Sequence, residues 1–315
     1  MDIIENPALT LQNINSEGSS LSLIDRVLVG NSWEIAKLLP SDFINCIVTS
    51  PPYFGHRQYT EEEDIQHLEF GREETPELYV KKLVSLFVEL HRVLHPAGTL
   101  WLNLGDTYRD EQLLGIPWRV AIGLQESGWI LRSEIIWNKT NAMPSSVKNR
   151  PTTSHEHIFL LAKTKEYFYN ADAIREPHVT FTEHSKMKGG RGHFGKINGT
   201  PESGKNKGNP NLHNGRWDQA FHPLGRNKRT IWDIPLGKFR DTHFAVFPEA
   251  LVKHCVLAGT SEGDIVLDPF IGSGTTGVVA VELGRHFIGV ELVPRYAEMT
   301  MKRVKQVGFQ PSLLD

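Results

Sequence analysis

The 315-residue sequence contains two short stretches whose residue types could do chemistry together. The first is Ser50-Pro51-Pro52-Tyr53, which Thr49 connects to the strand-like run of residues 43–48. Two prolines cannot donate ladder hydrogen bonds, and Pro51 holds Ser50 in an extended backbone, so this turn is rigid. It would present a small hydroxyl, a stiff pair of carbonyls and an aromatic ring to a ligand. A proline turn without a chemical role is the alternative interpretation of this stretch taken alone.

The second stretch is a glycine loop at residues 268–277, Asp-Pro-Phe-Ile-Gly-Ser-Gly-Thr-Thr-Gly. Gly272, Gly274 and Gly277 have the spacing of a nucleotide-binding loop, and Glu291 follows about 20 residues later. The glycines let a ligand approach the backbone, the helix amides can receive a carboxylate or phosphate, and Glu291 can accept both ribose hydroxyls. The loop does not continue with Gly-Lys-Ser/Thr, which excludes a nucleoside triphosphate loop. Two ligands fit it, a dinucleotide or S-adenosylmethionine.

Alternating strands and helices must position these two stretches. Strands are predicted at residues 26–30, 43–48, 99–104, 129–137, 155–162, 264–268 and 287–291. Helices are predicted at residues 33–39, 75–94, 117–127, 249–258, 275–283 and from 294 onward, with a turn at 95–98 and a polar loop at 55–74. This order predicts an α/β fold, with a doubly wound, mostly parallel sheet that has helices on both faces. In such sheets ligands bind at the carboxyl ends of the strands.

Bulk composition excludes several classes of protein. Hydrophobic residues make up 39% of the chain, yet no run of about 18 apolar residues predicts a membrane span. The N-terminus lacks the basic and then apolar order of a signal peptide. Cys46 and Cys255 both lie in apolar surroundings, which predicts reduced core residues of a cytoplasmic protein, with no disulfide framework and no metal site.

Charge is unevenly distributed along the chain. Residues 175–230 hold 11 lysines and arginines against 4 acidic residues, whereas the remainder holds 23 against 33. The same segment contains nine glycines and five irregularly spaced histidines, so it predicts neither a regular domain nor a zinc site. A basic segment in an acidic body predicts a loop-rich insertion that binds a polyanion. A flexible linker is the alternative.

Both stretches resemble motifs of the amino-methylating DNA methyltransferases, which modify cytosine N4 or adenine N6. Ser50-Pro51-Pro52-Tyr53 resembles their catalytic motif, and the Asp-Pro-Phe start of the glycine loop resembles their S-adenosylmethionine loop. The order of catalytic motif, basic insertion and cofactor loop is similar to the β class. The resemblance covers about residues 23–307. It implies a methyltransferase domain in two halves, a catalytic half at 21–174 and a cofactor-binding half at 231–309, separated by a target-recognition insertion at 175–230.

Together with the glycine loop, the resemblance implies a set of cofactor-binding residues: Asn31, Phe247, Asp268, Pro269, Phe270, Gly272, Gly274, Thr275 and Glu291. Asn31 stands where the family usually has an aspartate that contacts the adenine, and it is also a candidate helix cap. Phe247 lies in a segment that encloses the methionine end in the family. Trp137 is expected either to line the base pocket or to be a core residue, and residues 155–157 are expected to be structural.

The resemblance implies the following mechanism, in which the target base leaves the duplex. Tyr53 would stack on the extruded base, while Ser50 Oγ and the Pro51 carbonyl accept the two N–H bonds of its exocyclic amine. The nitrogen lone pair then points at the sulfonium methyl, and Pro52 helps to keep the acceptors rigid. The sequence has no Pro-Cys motif, which excludes carbon-5 methylation through a cysteine, so Cys46 is interpreted as core packing.

Cytosine N4 is the favoured target, because Ser-Pro-Pro-Tyr is commoner among the cytosine enzymes of the family; adenine N6 is the alternative. Duplex DNA is the expected partner, and Arg191, Arg216, Arg226 and Arg229 could read guanine edges while Lys186 and Lys188 contact phosphates. The expected role is restriction-modification or epigenetic marking. The sequence leaves open whether the protein forms a homodimer and whether a restriction endonuclease acting on the same site accompanies it.

Three other classes compete with this hypothesis. A dinucleotide-dependent oxidoreductase would account for the glycine loop, but not for Ser-Pro-Pro-Tyr or the basic insertion. A non-catalytic DNA-binding protein could keep the fold without the chemistry. An RNA methyltransferase would share the chemistry and differ in its nucleic acid.

Overall fold

The computed structural model describes residues 2–5, 23–55, 63–178, 224–237 and 247–308. Its strands are β1 (Ile3–Ile4), β2 (Arg26–Val29), β3 (Ile44–Thr49), β4 (Leu94–Leu104), β5 (Tyr108–Arg109), β6 (Gln112–Leu113), β7 (Ile130–Asn138), β8 (His155–Ala162), β9 (Ile231–Asp233), β10 (Ile265–Asp268) and β11 (His286–Glu291). Its α-helices are α1 (Ser32–Leu38), α2 (Glu63–Gln66), α3 (Pro76–Val93), α4 (Ile116–Glu126), α5 (Glu249–Gly259), α6 (Thr275–Glu282) and α7 (Pro294–Gly308). Among the described residues, no helix is both long and apolar enough to cross a membrane.

The chain divides into two compact units, Met1–Asn170 with Thr230–Asp315, and Ala171–Arg229. The first unit is built on a mixed sheet with the order β1-β2-β11-β10-β3-β4-β8-β7-β9. Pairing is parallel from β1 through β4, antiparallel from β4 to β8 and from β8 to β7, and parallel again to β9. The predicted α/β fold with a mostly parallel sheet is therefore confirmed.

Helices cover the sheet in two groups. Helix α3 packs against α1 and α4, whereas α6 packs against α5 and α7. Helix α3 begins as its sequence predicts, because Thr75 Oγ1 caps the Leu78 amide and Pro76 occupies the first turn. Asp106, just after β4, accepts hydrogen bonds from the Gly115 and Ile116 amides and so satisfies the free N–H groups at the start of α4.

Strand β4 differs from its predicted bounds. It begins at Leu94, and residues 95–98, which were predicted to be a turn, form an irregular stretch of the strand. Ile44 pairs with Leu94 and Cys46 pairs with Thr99, so four residues of β4 stand opposite one residue of β3. Proline and glycine in this stretch mimic a turn in the sequence, although the strand resumes its pairing on the far side.

The described parts of the second unit include a short 3₁₀ turn at Asp172–Ile174 and an antiparallel bridge between Glu176 and Arg226. The two backbones exchange hydrogen bonds of 3.1 and 2.9 Å, and Arg226 Nε donates to Glu176 Oε1 at 3.0 Å. Gly225 has a φ of +108°, and a Cβ there would lie 2.3 Å from the Glu176 carbonyl oxygen. This close approach requires glycine at the bridge.

Replacing Gly259 with alanine is expected to lower the free energy of unfolding by about 1–3 kcal/mol, because an overpacked core strains its neighbours. An added Cβ would lie 2.7 Å from Thr99 Oγ1, 2.8 Å from Cys46 Sγ and 2.9 Å from Trp101 Nε1. Urea denaturation followed by circular dichroism measures the change. Gly237→Ala is the matched control, since nothing lies within 4 Å of a Cβ at that position. An equal decrease in both variants would contradict the packing explanation.

Candidate active site

The serine-proline turn and the glycine loop meet at one cavity of about 410 Å³. The turn follows β3 and the loop follows β10, and these two strands are neighbours in the sheet. From this pair the chain continues in opposite directions, to β4 on one side and to β11 on the other. Ligands bind at such a switch point in open α/β sheets. The cavity lining includes these predicted site residues: Asn31, Ser50, Pro51, Pro52, Tyr53, Phe247, Asp268, Pro269, Phe270, Gly272, Thr275 and Glu291.

Asp268 joins the two stretches. Its Oδ1 accepts hydrogen bonds from Thr49 Oγ1 at 2.7 Å and from the Phe270 amide at 3.0 Å, while its Oδ2 accepts one from Thr276 Oγ1 at 2.7 Å. Burial raises the pKa of Asp268 to about 6. The Asp268 carboxylate therefore holds Thr49, Phe270 and Thr276 in fixed relative positions at the cavity.

The glycine loop is held from behind by α7. Thr300 Oγ1 donates to the Gly272 carbonyl at 2.8 Å, and an Arg303 terminal nitrogen donates to the Ser273 carbonyl at 2.5 Å. Gly274 has a φ of +85°, and a Cβ there would lie 2.7 Å from Thr300 Cγ2. Gly274, predicted to be a cofactor contact, thus packs tightly against α7 and is not among the described residues that line the cavity.

Glu291 closes the loop at the end of β11. Its Oε2 accepts from the Gly272 amide at 3.0 Å and its Oε1 from the Val293 amide at 2.9 Å. Burial raises the pKa of this carboxyl to about 7. Two carboxylate oxygens offer about four acceptor sites, and the amides of Gly272, Leu292 and Val293 act on them, so some acceptor capacity remains for a ligand hydroxyl.

Asn31 holds two elements at the rim of the cavity. Its Oδ1 accepts from the Trp33 and Glu34 amides at 2.9 and 3.3 Å, so it is the N-cap of α1. Its Nδ2 donates to the Leu68 carbonyl at 3.4 Å. The predicted helix cap is thus present at the position where the resemblance implied an adenine contact, and the amide is engaged on both sides.

A segment at residues 68–70 also lines the cavity, although the sequence predicted a polar loop there. Glu69 and Phe70 are only 5% and 4% exposed. The Phe70 ring packs edge-on against Phe270, with centroids 5.1 Å apart, and Lys82 Nζ donates to the Glu69 carbonyl at 2.6 Å. The apolar Phe70 within a polar run was the available signal for this burial.

A group of polar side chains, the Glu156 cluster, surrounds the serine-proline turn and consists of Ser50, Tyr53, Asn103, Lys139 and Glu156. Glu156 Oε2 accepts from Tyr53 Oη at 2.6 Å and from Asn103 Nδ2 at 2.7 Å, and Lys139 Nζ lies 2.5 Å from Glu156 Oε1. Ser50 Oγ lies 3.1 Å from Tyr53 Oη and accepts from Asn103 Nδ2 at 3.2 Å. All five residues line the cavity.

Asn103, Lys139 and Glu156 were missed as site residues. Glu156 is 9% exposed in an otherwise apolar strand, and a buried carboxylate requires partners. That requirement was the available signal, but the partners come from β4, from the residue after β7 and from the turn, so only the sheet order reveals them.

Trp137 is a buried core residue that also lines the cavity, and its contact with a target base stays a prediction. Trp137 is 3% exposed and donates from Nε1 to the Ile234 carbonyl at 2.8 Å, as a core residue does. It also lines the cavity, with Lys139 Nζ 5.1 Å from its ring centroid.

The two cysteines are buried free thiols in the core. Cys46 Sγ lies 3.5 Å from Thr99 Oγ1, and burial raises the pKa of the Cys46 thiol to about 12. Neither cysteine is among the described residues that line the cavity. A thiolate nucleophile is therefore not part of this site.

Four of the predicted DNA contacts lie outside the described residues, namely Lys186, Lys188, Arg191 and Arg216. Of the other two, Arg226 pairs with Glu176 and Arg229 is exposed. Their role in DNA binding stays a prediction.

The residues around the loop fit a nucleoside-linked ligand. Gly272, with a φ of +51°, leaves the space above the loop free of side-chain atoms, since the nearest atom to a Cβ there is 3.8 Å away. Glu291 supplies acceptors for hydroxyls, and Phe270 supplies an apolar surface at the same cavity. A cavity of this size is within the range of roughly 300–1,000 Å³ typical of small-molecule sites.

Comparison with known proteins agrees with this geometry. Residues 44–302 match the N6/N4 DNA methylase family. The type II methyltransferase M.Cfr9I of Citrobacter freundii is 37% identical over 305 residues, which cover 88% of this chain and 86% of the relative. The type II methyltransferase M.SmaI of Serratia marcescens is 37% identical over 308 residues, which cover 89% and 90%.

Two solved structures share the fold. The putative DNA modification methylase TTHA0409 of Thermus thermophilus, in complex with S-adenosyl-L-methionine, has a TM-score of 0.55 and 26% identity over 90% of this chain and 93% of that one. PvuII DNA methyltransferase, described as cytosine-N4-specific, has a TM-score of 0.62 and 19% identity over 92% of this chain and 87% of that one. The chain therefore belongs to the N6/N4 DNA methylases, a family of S-adenosylmethionine-dependent DNA methyltransferases.

Proposed function

We propose that this protein transfers a methyl group from S-adenosylmethionine to the exocyclic N4 amine of a cytosine extruded from duplex DNA. The observation that carries the proposal is that the serine-proline turn and the glycine loop line the same cavity. When bound, S-adenosylmethionine supplies an electrophilic methyl on sulfonium. The protein's own task is to hold the acceptor amine in line with that methyl.

Two acceptors in the turn are available to the amine. The Pro52 carbonyl is engaged, since Tyr79 Oη donates to it at 2.9 Å. Within the described part of the chain, no donor reaches the Pro51 carbonyl, so it is open to an N–H of the target amine. Ser50 Oγ is the second acceptor. Hydrogen bonds from both N–H groups would draw the nitrogen lone pair out of conjugation with the ring.

The cofactor would be held mainly by backbone and by Glu291. In this proposal Glu291 accepts the ribose hydroxyls, Phe270 contacts the adenine, and Phe247 lies at the methionine end. Asp268 acts indirectly through Thr49 and Thr276, because those hydroxyls already occupy its oxygens. Asn31 likewise acts by holding α1 and the Leu68 carbonyl in position.

Cytosine is favoured over adenine by the first residue of the turn. A serine at this position resembles the cytosine N4 enzymes of the family, whereas an aspartate is commoner in the adenine N6 enzymes. Either base offers an aromatic amine to the same acceptors, so adenine N6 is the second candidate.

The names of two relatives favour a role in restriction-modification. M.Cfr9I and M.SmaI are both type II methyltransferases. We propose the same role here, in which methylation protects a recognition sequence from a companion restriction endonuclease. In this proposal the basic insertion at residues 175–230 contacts the DNA.

Digestion of methylated DNA to nucleosides, followed by mass spectrometry, tests the target base. Unmethylated plasmid DNA incubated with the protein and S-adenosylmethionine is expected to yield N4-methylcytosine. N6-methyladenine would overturn the cytosine assignment while preserving amine methylation. A plasmid without any methylated base would overturn the proposed function.

Ser50→Ala is expected to lower the rate of methyl transfer roughly 10²–10³-fold, because the variant has one preorganised polar group fewer at the reacting amine. The dissociation constant for S-adenosylmethionine should stay within about threefold. Ser85→Ala is the matched control, since Ser85 Oγ is engaged with the Lys81 carbonyl on α3. An unchanged rate in Ser50→Ala would favour a protein that binds DNA without catalysis.

Affinity for an adenosine ligand is expected to rise up to roughly tenfold from pH 6 to pH 8, following the ionised fraction of a carboxyl with a pKa of about 7. The ionised form of Glu291 accepts ribose hydroxyls better, so binding strengthens as pH rises and levels off above the pKa. Calorimetry with 5′-methylthioadenosine isolates this effect, since that ligand has no titrating amino group. Glu291→Gln should bind weakly and without this pH dependence; a rise of the same size in the variant would contradict the assignment.

Removing basic charge from the insertion is expected to weaken DNA binding and its dependence on salt. The slope of log affinity against log salt should become shallower by about 0.9 for each phosphate that the protein no longer neutralises. The double variant Lys186→Ala, Lys188→Ala tests this. Lys253→Ala with Lys302→Ala removes the same charge from exposed positions of the other unit. Equal slopes for the two variants would count against the insertion as the DNA-binding surface.

A further inference from the structure

The hydrogen bonds of the Glu156 cluster have a defined direction. Tyr53 Oη lies 2.6 Å from Glu156 Oε2, and an ionised carboxylate only accepts, so the tyrosine donates its proton to Glu156. At the 3.1 Å contact with Ser50 Oγ, the tyrosine oxygen must then accept and the serine must donate. Burial, followed by the nearby Glu156 charge, raises the pKa of Tyr53 well above its usual value, so the phenol stays protonated.

This hydrogen-bond direction determines what the Ser50 oxygen can still accept. The Ser50 hydroxyl hydrogen is drawn towards Tyr53, which leaves oxygen lone pairs for other donors. Asn103 Nδ2 lies 3.2 Å from Ser50 Oγ, but its two N–H groups also face Tyr53 Oη and Glu156 Oε2, each at 2.7 Å, so the contact with the serine is the weakest of the three. The result is a continuous chain of hydroxyls from the proposed amine acceptor to a carboxylate.

The carboxylate at the end of this chain is costly to bury. Glu156 is 9% exposed, and the ammonium of Lys139, 2.5 Å from Oε1, compensates its charge. A buried ion pair contributes little net stability compared with apolar side chains of the same volume. Its position in the cavity, joined to Ser50 through one tyrosine, therefore suggests a chemical task.

Methylation of an exocyclic amine creates that task. The nitrogen lone pair forms the new N–C bond, the electron pair of the S–C bond leaves with sulfur, and the nitrogen must lose one of its two protons. Ser50 Oγ accepts an N–H of this amine in the proposed function, so it is the first group that the proton meets.

We propose that Glu156 is the terminal acceptor of the proton released from the target amine, which it receives through the hydroxyls of Ser50 and Tyr53. One proton passes from nitrogen to Ser50 Oγ, the serine proton passes to Tyr53 Oη, and the tyrosine proton passes to Glu156 Oε2. Both hydroxyls end the step neutral, and Glu156 ends it as a carboxylic acid beside Lys139. The inference rests on the proposed amine methylation and holds for cytosine or adenine alike.

Single-turnover methyl transfer, measured with tritiated S-adenosylmethionine and unmethylated plasmid DNA, tests this relay. Glu156→Gln keeps the shape of the side chain but is a far weaker proton acceptor, and Tyr53→Phe keeps the ring but breaks the chain. Each change is expected to slow methyl transfer roughly 10²–10⁴-fold. The affinities for cofactor and DNA should stay within about threefold. Both residues act on one path, so their effects should not multiply. The double variant should be at most about threefold slower than the slower of the two single variants.

Rates in D₂O provide a readout that a purely structural role would leave unchanged. The wild-type transfer step should be slower in D₂O than in H₂O, and Tyr53→Phe should abolish that difference; an equal isotope effect in the wild type and in Tyr53→Phe would overturn the relay. Glu134→Gln is the matched control, since this carboxylate pairs with His157 at 2.7 Å in the same region of the sheet. It should keep the wild-type rate within about threefold.

Three further results would overturn the relay. The first is a wild-type rate of methyl transfer in Glu156→Gln. The second is a double variant whose rate falls by the product of the two single decreases. The third is a single variant in which only the affinity for cofactor or DNA falls. Tyr53→Phe leaves the Glu156–Lys139 pair intact, so it decides the question if Glu156→Gln does not fold. If the wild-type protein methylates DNA and the variants give any of these results, the relay is wrong. The proposed methyltransferase function then still holds.

Discussion

The active site depends on one buried carboxylate, that of Asp268. Its oxygens accept hydrogen bonds from Thr49 at the end of β3 and from Thr276 in the first turn of α6. Thr49 and Asp268 are 219 residues apart in sequence, so this contact joins the two halves of the domain. A carboxylate buried without partners would cost several kcal/mol, so the site is stable only when both hydroxyls are in place. The serine-proline turn is thereby held beside the glycine loop before any ligand arrives.

Rigidity of the serine-proline turn comes from packing as well as from its prolines. Tyr79 Oη donates to the Pro52 carbonyl, and the Gly55 amide donates to the Gly71 carbonyl at 2.9 Å. Gly71 has a φ of +92°, and a Cβ there would lie 2.6 Å from the Tyr53 carbonyl oxygen. Residues 68–71, of which 68–70 line the cavity, and the turn that carries Ser50 therefore constrain each other. The prolines restrict two backbone angles, whereas these contacts fix where the whole turn lies.

Those features that depend on local sequence were predictable. The β-branched run before the turn, the proline at the start of α3 and the glycine loop each have a local physical cause, and all are present in the structure. The sequence alone does not show which strands are neighbours in the sheet. Glu156 reaches Tyr53 because β8 pairs antiparallel with β4, a pairing that has no local signature. The burial of Glu69 and Phe70 and the strand pairing around residues 95–98 likewise come from long-range contacts that override polar or turn-forming sequence.

Three of the carboxylates that line the cavity have different environments. Asp268 accepts from two hydroxyls and one amide, Glu291 accepts from backbone amides of the glycine loop and of residue 293, and Glu156 is paired with Lys139. Burial raises the pKa values of Asp268 and Glu291 to about 6 and about 7, so each of these two carboxyls needs its donors to stay ionised near neutral pH. A cationic methyl donor held in the cavity that both residues line would reduce this cost, because a positive charge nearby favours the ionised carboxylates. Donor binding and the ionisation of the cavity are therefore coupled, and the part of this coupling that comes from the sulfonium charge is lost once the methyl has been transferred.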